Sequence, residues 1–225
     1  MLDLGLHFGH LKKFSHPKSK PNIFSVSNGV AIIDLKKTES GLKETIDYVK
    51  KLAKEGKNIL FVGTKRQTAD FVREKAESIG MPYISRRFMG GTLSNFDTVL
   101  RNIKKLIDLE TATIEKSTSK KEESRLNKEK ERLQSLVGGM KEVKKLPDAL
   151  FLVDMNKEKN ACIEARNLKI PVVGIADTNT DPSLATCTIP ANDDSTEGVK
   201  YIVTEIVKAY QEGQGKKKAK KDAKN

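Results

Sequence analysis

Three stretches of this chain set chemistry-bearing residues at informative spacings. In ILFVGTKRQ, residues 59–67, an apolar run ends at Val62 and gives way to a glycine, a threonine and two cations. A buried strand, a glycine turn and a helix start can hold a phosphate on backbone N–H groups. The stretch has neither the G-x-x-x-x-G-K-[ST] order nor the G-x-G-x-x-G order of nucleotide loops. Three readings stand: a polynucleotide phosphate at Lys65 and Arg66, a turn with solvated charges, or a small nucleotide.

In SRRFMGGTLSNF, residues 85–96, Arg86 and Arg87 can fork onto phosphates, and Gly90-Gly91 lets a backbone come close. A structural turn before a helix start at Ser94-Asn95 is the other reading, and both can hold together. The third set is His7, His10 and His16 with Asp177, Asp181, Asp193 and Asp194 far downstream. Loops that follow strands of a doubly wound sheet bring carboxylates to its carboxyl edge, where His plus carboxylates suit a divalent cation. Capping of turns and helices by those aspartates competes with this. No Ser-His-Asp set or acid–base pair is more persuasive, so no catalytic residue is assigned.

The elements that must position these residues follow from hydrophobic spacing. IFSV and VAIIDL read as strands joined by a turn at Ser27-Asn28-Gly29, after an extended arm at residues 11–22. Helical spacing covers residues 36–55, ended by Gly56, and residues 65–79, closed by Gly80. Buried strands are expected at 58–62, 149–153 and 171–176, short ones at 82–84 and 187–189, with helices at about 157–168 and across Val199–Tyr210. The rhythm predicts an α/β fold, a doubly wound, mostly parallel sheet with helices on both faces. Between 94 and 145 no strand signal occurs. Two stripes, Val99, Ile103, Leu106 and Leu126, Leu133, Leu136-Val137, with a turn at Thr118-Ser119, predict an inserted two-helix hairpin standing in solvent or against a partner. The expected division is a sheet domain at 1–93 and 146–212, the hairpin at 94–145, and a disordered lysine-rich tail at 213–225.

The 225 residues are 37% hydrophobic and 32% charged, with a net charge of +12. Such an excess points to a polyanionic partner, nucleic acid or an anionic membrane surface. About five of those charges lie in the tail. No run is long and apolar enough to span a membrane, and MLDLGLHFGH does not read as a signal peptide. Cys162 and Cys187 read as reduced core thiols.

Taken in order, HFGH, HPKSKP, NGVAIIDLKKT, ILFVGTKRQ, RRFMGGTLSNF, LPDALFLVD, IPVVGIADTN, TDP and IPANDD resemble the S-two family of small-subunit ribosomal proteins, bacterial type, from Leu4 to Tyr210. The resemblance implies a flavodoxin-like α/β domain with a coiled-coil hairpin. It implies a non-catalytic, cytoplasmic ribosomal protein that binds rRNA between head and body on the solvent side of the small subunit. It also implies help in docking the large mRNA-binding protein of that subunit, alongside neighbouring ribosomal proteins, and no homo-oligomer. No cofactor is required. A structural divalent cation, zinc or magnesium, held as in bacterial members would map onto His10, Asp177, Asp193 and Asp194. Departures are Phe88 and Phe96, where the family usually has Trp, and Ala31, where a His is frequent. The phosphate contacts expected are Lys12, Lys13, Lys18, Lys20, Lys65, Arg66, Arg86 and Arg87. A doubly wound enzyme using nucleotide or metal, and a free RNA-binding regulator, are the rivals.

Overall fold

Two sheets organise the computed structural model, which describes residues 1–111 and 120–222, with side chains through Gly215. The first is antiparallel and small: β1 (Phe8–Leu11), β2 (Ile23–Ser27) and β3 (Val30–Ile33), in the order β1-β3-β2. β2 and β3 form the expected hairpin. Its two-residue turn, Asn28-Gly29, has φ of 50° and 80°, the doubly positive geometry whose twist matches the strands it joins. β1 was not expected, and the arm between β1 and β2 is two short 3-10 turns, Lys12–Phe14 and Pro17–Asn22.

The second sheet is parallel throughout. It contains β4 (Ile59–Val62), β5 (Tyr83–Ile84), β6 (Ala149–Leu152), β7 (Val172–Ala176) and β8 (Cys187–Pro190), in the order β5-β4-β6-β7-β8. Counting from β4, this is the 2-1-3-4-5 order of flavodoxin-like folds, whose switch point lies between the first and third strands. Here that point falls between β4 and β6.

Alternate strand residues feed two cores. Ile59, Phe61, Ala149, Phe151, Val173 and Ile175 pack with α1 (Leu35–Glu55), α2 (Ala69–Ser78) and α6 (Thr196–Asp222). Leu60, Val62, Leu150, Leu152 and Val172 pack with α3 (Phe96–Thr111), α4 (Lys120–Val137) and α5 (Lys159–Asn167). Helices therefore cover both faces, as the rhythm predicted. Asp34 caps α1 by accepting from the Lys36 N–H at 3.0 Å, and Gly56 ends it at φ 72°. Both cysteines are buried and unpaired.

Three differences from the expected layout have physical reasons. α2 begins at Ala69, not Lys65, because residues 65–68 form a turn in which the Thr68 and Ala69 N–H groups donate to the Lys65 carbonyl. The base of the 94–145 insertion is not left to solvent or a partner, because Leu106 and Leu133 are fully buried in the second core with Val99, Ile103 and Val137. Burial of that kind is worth about 1.5–3 kcal/mol per leucine. α3 and α4 touch each other, with Lys105 reaching Glu129 at 3.0 Å, and the expected turn at Thr118-Ser119 lies outside the described residues. Finally, α6 runs to Asp222, through much of the stretch expected as a disordered tail. Alanine and lysine are good helix formers, and a helix already nucleated on a core propagates cheaply.

Candidate nucleic-acid interface

All five parallel strands deliver their following loops to one carboxyl edge, and that edge is divided by charge. Past β7 and β8 it is acidic. Asp177 is fully buried and Asp193 nearly so. The Lys65 ammonium lies 2.6 Å from Asp193 Oδ1, 2.7 Å from Asp194 Oδ1 and 3.1 Å from Asp154 Oδ2. It also donates to the Asp193 carbonyl at 3.0 Å. Burial opposes its charge, but the hydrogen bonds it donates to Asp193 and Asp194 and the surrounding carboxylates more than offset this and raise its pKa. Asp193 shifts up as well, from burial first and then from the charges of Asp154 and Asp177.

His10 sits beside this cluster, Nδ1 at 3.3 Å from Asp177 Oδ2 and Nε2 at 3.8 Å from Asp194 Oδ2. Its pKa is raised, chiefly by the hydrogen bond with Asp177 and against the effect of burial. The four expected metal ligands are thus neighbours, but the carboxylates are already engaged by the Lys65 ammonium and the His10 ring. Among the described residues, no group of three or more His, Cys, Asp or Glu stands ready to hold a metal ion. In this arrangement a divalent ion does not fit unless the Lys65 ammonium withdraws.

Lys65 therefore turns inward, and the glycine before it serves packing. A Cβ on Gly63 would sit 2.8 Å from Val72 Cγ2, so the absent side chain lets α2 lie close against β4. The Gly90-Gly91 loop is also filled from within. The Glu164 carboxylate accepts from the N–H groups of Gly91 at 2.7 Å, Leu93 at 2.9 Å and Ser94 at 3.0 Å. Burial would raise its pKa, but these hydrogen bonds prevail and lower it. In both stretches the groups nearest the glycines, Lys65 and the N–H groups of Gly91, Leu93 and Ser94, are taken up by the chain's own carboxylates, while Arg66 and Arg86 stay exposed.

The basic end lies at the switch point. Thr64, Arg66, Ala69, Asp70, Ser85, Arg86 and Lys157 line one open cleft there. Arg66 follows β4, Arg86 follows β5 and Lys157 follows β6, so three different loops supply its cations. The Lys157 ammonium donates to the Thr64 carbonyl at 2.9 Å, which pins it over the end of β4. Beneath it the Thr64 hydroxyl donates to Glu158, whose pKa is raised by burial against that bond. Arg66 and Arg86 are exposed. Guanidinium forks at such an opening match the geometry of phosphate oxygens.

Of the other expected contacts, Lys12, Lys13, Lys20 and Arg87 are exposed. Lys18 is tied to Asp181 at 2.8 Å and Ser183 at 2.6 Å. Sequence reading missed Lys157 and Glu164. The rule that ligands gather beyond the carboxyl ends flanking a switch point could have singled out Lys157; nothing local marks Glu164. The chain also matches a known family, described as Ribosomal protein S2, over residues 1–213.

Proposed function

Because the chain belongs to the ribosomal protein S2 family, whose members are structural components of the small ribosomal subunit and not enzymes, we propose that it works by binding small-subunit rRNA. The single observation that carries this is the cleft of Arg66, Arg86 and Lys157, whose cations come from three separate loops. The exposed Lys12, Lys13, Lys20 and Arg87 extend the positive surface. Contacts of this type set position by charge and shape and read no base sequence. The proposal puts the protein in the cytoplasmic ribosome, on the solvent side between head and body, as a single copy. It assigns α3 and α4 as a coiled-coil projection beside which the large mRNA-binding protein docks.

The purified chain and small-subunit rRNA test this by filter binding across a salt series. With about six phosphate contacts, affinity falls about a thousandfold between about 50 and 200 mM salt. Saturable mononucleotide binding at moderate salt, with salt-insensitive or absent rRNA binding, would favour the enzyme rival and remove the proposal.

A divalent cation at His10, Asp177, Asp193 and Asp194 is a second and separate proposal, because the four side chains are adjacent. It requires Lys65 to release Asp193 and Asp194. Elemental analysis of the purified protein decides it: about one equivalent of zinc, removed by chelator with a fall in Tm, supports the ion, and none at neutral pH rejects it.

A further inference from the structure

The arm and β2 after it carry aromatic rings that neither core uses. Phe24 is 76% exposed and Phe14 59% exposed. Phe24 owes its position to a bulge: Ile23 pairs with Ile33 and Ser25 with Ile32, so residue 24 is the extra one and its ring is turned out. Phe14 closes the 3-10 turn at Lys12–Phe14, and the Lys13 ammonium stands 4.9 Å from its ring centroid. The arm beneath them is held firmly. The His16 N–H donates to the Thr178 carbonyl at 2.7 Å, the Ser19 hydroxyl to the Thr180 carbonyl at 2.5 Å, and Lys18 pairs with Asp181.

Charge around these rings is one-sided. Residues 4–33 contain four lysines and no aspartate or glutamate. Lys12, Lys13 and Lys20 are exposed, while Lys18 is spent on Asp181. A firmly held platform whose own residues carry no acid, with exposed rings and exposed lysines, matches the needs of an unstacked nucleic-acid strand, which offers base faces and phosphates in alternation. Double-helical RNA keeps its base faces inside its own stack and cannot use the rings.

We propose that the arm and β2 together bind an unpaired stretch of RNA, with bases stacked on Phe14 and Phe24 and phosphates at Lys12, Lys13 and Lys20. This rests on the rRNA reading above and deepens it by naming the form of RNA that meets this face.

Fluorescence anisotropy of the full chain with a labelled oligoadenylate of about ten nucleotides, and with a hairpin duplex of similar length, tests it. Phe14→Ala/Phe24→Ala weakens oligoadenylate binding about 10- to 100-fold, leaves its salt slope and the duplex affinity unchanged, and Phe14→Tyr/Phe24→Tyr restores it. Both positions are exposed, so equal melting curves for the variants check folding. If wild type binds oligoadenylate and the double alanine variant binds it equally well, the stacking proposal is overturned while the rRNA reading stands. The same holds if that variant keeps its RNA affinity but drops out of small subunits, which makes the rings a protein contact. If wild type binds neither RNA at low salt, both readings fall.

Discussion

Removing the Lys65 ammonium leaves Asp154 and Asp193 facing each other with little water between them. Breaking one partner out of a buried pair strands the remaining charge, which costs about 3–5 kcal/mol. Lys65→Met should lower the denaturation midpoint accordingly, while Arg66→Ala should barely move it and should weaken rRNA binding instead. Equal stability of Lys65→Met and wild type would count against the inward role. Lys65 was not legible as structural, because its partners Asp193 and Asp194 lie 128 and 129 positions away. The aspartates themselves were legible as an edge cluster, since each follows a strand. Asp181 gives a pH test at the same scale. Burial works against its charge, but the hydrogen bonds from Lys18 and Ser183 hold its pKa down to about 2, against an ordinary 3.8. A depressed carboxyl stabilises above its unfolded value and loses that contribution as pH falls through the folded one. Amide exchange at Ser19, which donates to the His16 carbonyl, should speed up between about pH 3.8 and 2 in wild type. Lys18→Ala should already show the fast exchange at pH 7; identical protection in the two proteins would sink the anchoring role.

At the level of elements, the glycine of GTKRQ is a spacer between β4 and α2. Gly63→Ala would press a methyl against Val72, whose three nearest side-chain carbons stand at 2.8–3.1 Å from the added Cβ. Overpacking of this kind costs about 1–3 kcal/mol. The expected result in a urea titration is a lower midpoint with an unchanged slope, and unchanged rRNA affinity. A variant that keeps full stability but loses RNA would return the glycine to a phosphate role. Element types were readable because buried parallel strands are short continuous apolar runs, and α1 and α6 carry regular stripes. Element ends were less so. The N-terminus of α2 depends on where Lys65 must point, and β1 pairs with β3 across a bulged register that no local pattern announces. The bases of α3 and α4 read as a seam with charged flanks, yet Leu106 and Leu133 close the second core, because the sheet beneath them supplies the missing partner surface.

For the molecule as a whole, a net charge of +12 pointed to a polyanion, but not to where it would sit. The strand order supplies the place: beyond β4 and β6, where the sheet reverses direction of growth, three loops leave Arg66, Arg86 and Lys157 around one opening. Strand order is set by long-range pairing and could not be read from periodicity. The most direct test is a sucrose gradient of cells carrying tagged wild type or the Arg66→Ala/Arg86→Ala/Lys157→Ala variant. Wild type should travel with small subunits, and the variant, folded by its melting curve, should move largely to the top of the gradient. A variant that enters small subunits as fully as wild type would contradict the assignment of this cleft to rRNA.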